Sequence, residues 1–246
     1  MNVSLYQAAS AMNANARWQE VISENLASAS IPGFKRQDIS FSAIEAGVAT
    51  NQTGPHRLLL PRAEVATSFA PGEIRQTDVS TDVAIDGAGF FEVRLPGGAL
   101  AYTRDGEFQL NAQGQLVTKH GYQVMGKNGP IQLDIAASGP ITISSSGEVT
   151  QAGEVRGSLK IVEFAEPRLL RQVSGGCFLA DHPSLFPQEV EQPSLRQGFL
   201  EAANTSTVME MANLIRVMRG FEANQKLMQV QDERMGKVIS ELGNPT

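Results

Sequence analysis

Cysteine is nearly missing from this 246-residue chain: Cys177 stands alone, which rules out an internal disulfide. A basic excess is missing as well. Twenty Lys and Arg against 26 Asp and Glu leave a formal charge of -6, with no basic stripe to displace the counterions of a nucleic acid. Aromatics are scarce, 6% within an ordinary 41% hydrophobic content, so Ala carries much of the apolar burial. No apolar run approaches the roughly 20 residues that span a bilayer, and no transmembrane segment is expected. The start, Met1-Asn2-Val3-Ser4-Leu5-Tyr6, lacks the basic and apolar regions of a cleavable signal. Taken alone, that implies a cytoplasmic protein or one exported by another route.

Signs of catalysis are equally sparse. His56, His120 and His182 are scattered, with neither HxxxH nor HxH spacing, so converging metal ligands are not expected. Gly87-Ala88-Gly89-Phe90-Phe91-Glu92 begins like a dinucleotide fingerprint, but Glu92 stands where a third small residue belongs and a strand follows. No GxSxG or P-loop occurs. Cys177, within Gly175-Gly176-Cys177-Phe178, reads as a small buried thiol because nothing nearby would lower its pKa. Asp78, Asp82, Asp86 and Asp105 sit among Gly and Thr at strand ends, where turn residues are the ordinary reading. A carboxylate pair of a carbohydrate-active enzyme is the competing one. The expectation is no enzyme, no metal and no cofactor.

What is present is two helical ends around a β-rich middle. The C-terminal stretch places Met211, Leu214, Met218, Phe221, Gln225, Met228, Asp232, Met235, Ile239 and Leu242 at alternating three- and four-residue spacing. That is a heptad seam, apolar except at Gln225 and Asp232, and it predicts association. From Asn204, placed to cap it, to Leu242 such a helix would run roughly 60 Å. Residues 2–30 predict a first helix with Leu5, Ala8, Met12, Ile22, Leu26 and Ala29 on one face. Asn15 and Gln19 interrupt that thin stripe, and Asn25 is an indifferent helix former, so this helix needs a neighbour. Ile31-Pro32-Gly33 ends it.

Residues 35–78 predict a linker, with one short edge strand at Leu58-Leu59-Leu60 before Pro61. From Val79 the period is that of strands: Val83-Ala84-Ile85, Phe90 to Val93, Tyr102 to Thr103, and further short runs to Leu159–Val162. Turns such as Asn111-Ala112-Gln113-Gly114 and Asn128-Gly129-Pro130 separate them. The fold class is therefore α+β: a discontinuous coiled-coil domain of N- and C-terminal helices with an inserted all-β domain. The expected divisions are 1–34, 35–78, 79–192 and 193–246.

Particular strings then resemble one family. Asn25-Leu26-Ala27-Ser28-Ala29-Ser30 followed by Pro32-Gly33-Phe34-Lys35-Arg36 is similar to the N-terminal signature of bacterial flagellar rod and hook proteins. Asp82 to Phe91, Tyr102-Thr103-Arg104-Asp105-Gly106 and Gly121-Tyr122-Gln123-Val124 resemble their central motifs. Gln197-Gly198-Phe199-Leu200-Glu201-Ala202-Ala203-Asn204 and Arg219-Gly220-Phe221-Glu222 resemble their C-terminal ones. The resemblance implies a structural subunit of the flagellar basal-body rod crossing the periplasm, with the proximal rod ahead of the distal rod. Its implied partners are itself, other rod subunits and the flagellar export apparatus, which would dispense with a cleavable signal. Leu5, Met12, Ile22 and Leu26 would meet Met211, Leu214, Met218, Phe221, Met228, Met235, Ile239 and Leu242 in an assembly seam. A hook or fibre-type axial subunit is the alternative reading.

Overall fold

A computed structural model describes residues 3–51, 54–135, 137 and 139–243. The chain divides into two units, 1–27 with 37–66 and 206–246, and 28–36 with 67–205.

The first unit holds two helices and a strand pair. Helix α1 (Val3–Ala27) and helix α2 (Thr207–Gly243) pack against each other. At 37 residues, α2 is about 55 Å long. Its first helical hydrogen bond runs from the Glu210 N–H to the Ser206 carbonyl, so the helix begins at Ser206 and Thr207. Asn204 is therefore not its cap. Strands β1 (Gln37–Asn51) and β2 (Gly54–Thr67) form a two-stranded sheet, and β1 lies on α1. The sequence predicted only a short run near Leu58; β2 instead continues through Pro61. With pairing on one side only, a strand tolerates the N–H that proline lacks. Trp18 of α1 meets Phe41 of β1 edge to face, with ring centroids 5.7 Å apart. Residues 52 and 53 of the expected turn lie outside the described residues.

The second unit is β-rich, as the short alternating runs predict. Its largest sheet passes through Arg171–Val173, Cys177–Leu179, Leu100–Thr103, Phe90–Arg94, Gln123–Gly126, Leu116–Thr118 and Phe108–Leu110. The Phe90–Arg94 strand also pairs with Ile161–Glu163. Successive side chains on a strand face opposite ways, and here both faces are buried. Phe91 and Val93 enter one core with Phe108, Leu116, Val124, Leu159 and Ile161. Phe90 enters the other with Tyr102, Phe164, Leu170 and Phe178. That second core is a ring cluster, Tyr102 standing edge to face on Phe164 at 4.8 Å. The scarce aromatics are thus concentrated where they bury the most.

Two further strand pairs close the unit. Val83–Ile85 pairs antiparallel with Leu195–Gln197, and Ile74–Gln76 with Phe199–Glu201. The beginning and the end of the inserted chain therefore meet in its own fold.

Candidate assembly surface and buried clasp

Helix α2 packs along one face and leaves apolar side chains on another. Glu210 and Val217 are buried, and Leu214, Phe221, Asn224, Met228 and Gln231 are half-buried. Their spacing is the same three–four alternation as the expected seam, moved back by one residue at every second position. Leu214, Phe221 and Met228 belong to both patterns. Met211, Met218 and Met235 are exposed, as are Gln225 and Asp232. Met218 is 49% exposed beside Val217 at 1%. The reason lies on α1, where Ala8, Val21, Ile22 and Asn25 are buried and Met12 and Leu26 half-buried. A single partner helix covers only a narrow arc. The side chains of Leu5, Ile239 and Leu242 lie outside the described residues.

Outside that arc, Val208, Met211, Ile215 and Met218 recur at three, four and three residues on one side of α2, all about half exposed or more. That stripe lies apart from the face that packs on α1.

The two asparagines of α1 are built into the first unit. Asn15 stands against Gly220 of α2, its amide nitrogen 3.3 Å from where a Cβ at Gly220 would lie. The missing side chain is what lets it approach. Asn25 is buried, and its side chain bonds to both backbone groups of Gln37 in β1.

In the second unit the Pro32-to-Arg36 and Gly198-to-Asn204 strings converge. The Lys35 ammonium, 1% exposed, is 2.6 Å from Glu201 Oε1 and donates to the Ala70 carbonyl at 2.9 Å. The Gly72 N–H donates to the same Oε1 at 2.7 Å, and Arg104 Nη1 reaches Oε2 at 3.4 Å. The Gly33 N–H donates to the Glu201 backbone carbonyl at 2.7 Å. Arg104 lies over the Phe90 ring, 5.2 Å from its centroid. Asn204 completes the clasp: its Oδ1 accepts from the Arg36 N–H at 2.7 Å, and its Nδ2 donates to the Ser68 and Ala70 carbonyls at 2.8 and 2.9 Å. These backbone groups hold the side chain that helix capping would have required.

Burial pulls the Lys35 pKa down, its hydrogen bond to Glu201 opposes that, and the Arg104 charge adds to the lowering. Burial likewise lowers the Arg104 pKa against the pull of Glu201 and Glu163. The sequence carried both strings, but nothing local pairs Lys35 with a residue 166 positions later.

Among the described residues, the remaining candidates do not gather into a reactive centre. Asp82 and Asp105 are buried near each other, Asp86 pairs with Arg196 at the surface, and Asp78 sits exposed in a left-handed turn with φ 59°. Burial raises the Asp105 carboxyl to about 6, and it raises Asp82 as well. Cys177 is buried in a strand, and burial pushes its thiol to about 11, so it is a poor nucleophile. Gly87 to Gly89 leads into the Phe90–Arg94 strand. Among the described residues, no group of three His, Cys, Asp or Glu could hold a metal, and no helix is long and apolar enough to cross a membrane.

Comparison with known proteins bears on the same segments. Residues 5–35 match the flagella basal body rod protein family, 84–151 the flagellar hook protein FlgE/F/G D1 domain, and 196–241 the flagellar basal body rod FlgEFG protein C-terminal family. The chain is 32% identical to the flagellar basal-body rod protein FlgG of Buchnera aphidicola, over 96% of this chain and 98% of that one. It is 31% identical to FlgF of Caulobacter vibrioides over 99% of both, and 30% identical to FlgF of Escherichia coli over 96% and 97%.

Proposed function

The chain belongs to the flagellar basal-body rod protein family, and we propose that it serves as a proximal-rod subunit that assembles through its terminal helices. It is a structural subunit of the basal-body rod. The observation that carries the assembly reading is the apolar stripe of Val208, Met211, Ile215 and Met218, exposed on a helix already packed on its other side. Neighbouring copies or other rod subunits would cover it in a coiled-coil wall of long helices, stiff enough to transmit torque. Burying each such side chain contributes roughly 1.5–3 kcal/mol. The expected seam residues Met211, Met218 and Met235 then serve contacts between subunits, while Leu214, Phe221 and Met228 lie toward α1. Methionines suit a face that must fit inequivalent neighbours. Export through the flagellum's own apparatus, without a catalytic step or a cofactor, belongs to the same reading.

Two features favour the proximal position: the Ser30-Ile31-Pro32-Gly33-Phe34 string and the compact segment from Arg36 to Pro71. An epitope-tagged copy, located by electron microscopy of purified basal bodies, tests both levels. The tag should lie on the rod at its cell-proximal end. A tag at the distal end would correct the position, and a tag on the hook would overturn the rod reading.

A further inference from the structure

The second unit buries two cations long before the chain supplies their anion. Lys35 and Arg104 are at most 7% exposed, and the one carboxylate that both contact is that of Glu201. Without Glu201 the two positive charges would lie buried in one site with no carboxylate in contact, which desolvation and mutual repulsion both oppose. Arg104 Nε already lacks a hydrogen-bond partner, and the remaining carboxylate that attracts Arg104, Glu163, is not within ion-pair distance of it. Glu201 follows Lys35 by 166 residues and Arg104 by 97.

The strands repeat this dependence. Val83–Ile85 finds its partner in Leu195–Gln197, and Ile74–Gln76 finds its partner in Phe199–Glu201. Val83 and Ile85 are core residues, and Leu195 packs in that same core. The early half of the unit thus lacks an anion, two strand partners and a core side chain until residues 195–204 arrive.

We propose that Glu201 is a folding latch: the second unit stays open while the chain is made from its N-terminus and closes only when residues 195–204 bring the carboxylate to Lys35 and Arg104. Until residue 201 of 246 has emerged, the unit lacks the carboxylate that its two buried cations contact. It acts in the single chain and holds whatever the folded protein assembles into.

Cys177 is a built-in reporter, because it is the only thiol and is buried at 1% exposure. Ribosome-arrested chains with residues up to 192, up to 204 and up to 246 outside the exit tunnel would be treated with a maleimide reagent. The shortest chain should label freely, and the two longer ones should be protected. Protection in the 192-residue chain would overturn the proposal. In the released full chain, Glu201→Ala and Glu201→Gln should both label at least about tenfold faster than the wild type, since Gln keeps an acceptor for Gly72 but removes the charge. A Glu201→Gln rate equal to the wild type would show that the carboxylate charge is not the latch.

Discussion

Asn25 and Gln37 are joined as though the end of α1 were another strand. The Asn25 Nδ2 donates to the Gln37 carbonyl at 2.9 Å, and the Gln37 N–H donates to Asn25 Oδ1 at 2.8 Å. One side chain thereby satisfies both backbone groups at the start of β1. Asn25→Ala should destabilise the first unit by about 1–3 kcal/mol, because two part-buried hydrogen bonds to the Gln37 backbone are lost. Urea unfolding followed by helical circular dichroism measures this. A change below about 0.5 kcal/mol would mean that water replaces the amide at no cost.

Adjacent substitutions on α2 should separate folding from assembly. Met218→Asp falls on the exposed stripe and should leave the monomer's stability within about 0.5 kcal/mol of the wild type while abolishing motility. Val217→Asp places a charge against α1 and should cost the monomer several kcal/mol. Thermal unfolding of the purified monomers, beside complementation of swimming, gives both readings. Normal swimming with Met218→Asp would remove the stripe from the assembly surface.

Two glycines should respond with opposite signs. Gly33 has φ +66°, and a Cβ there would lie 2.2 Å from the Arg104 carbonyl carbon, a backbone atom that cannot turn aside. Gly33→Ala should destabilise the second unit by at least about 2 kcal/mol. Gly236 lies within α2 with open space around it, so Gly236→Ala should stabilise the helix by about 0.5–1 kcal/mol. Denaturant midpoints of the two variants check both directions.

The contribution of the buried Asp105 carboxyl to the stability of the second unit should be greater in mild acid than at neutral pH. Its folded pKa, about 6, is above the ordinary value of 3.8, so the folded state holds the proton more tightly than the unfolded one. Above about pH 6 the ionised group costs stability, and that cost is recovered as pH falls from about 6 to about 4. Two pKa units correspond to roughly 3 kcal/mol at most. Asp105→Asn keeps an oxygen for the Glu107 N–H and should raise the melting temperature at pH 8, with the gain vanishing near pH 4. A gain of equal size at both pH values would show that charge burial is not its source.

Outside residues 35–78, where a linker was expected and β1 and β2 form, the sequence by itself determined the element types, because these follow from local chemistry. Three–four spacing marks α2, alternation between Gly, Asn and Ser turns marks the short strands, and Ile31-Pro32-Gly33 marks the end of the first helical stretch. It also carried the family strings, and the segments matched by family comparison contain most of them. Partnership was another matter. Met211 and Met218 satisfy a heptad as well as Glu210 and Val217 do, and only the position of α1 decides which set is covered. Asn25 looked like a weak helix former and Asn204 like a cap until the backbones of Gln37, Arg36, Ser68 and Ala70 were brought to them. The length of β2 depended on β1, since a strand is completed by its neighbour's hydrogen bonds. Lys35 and Glu201 belonged to separate strings until the fold placed them 2.6 Å apart, where a charge that water would have solvated needs its counter-charge instead.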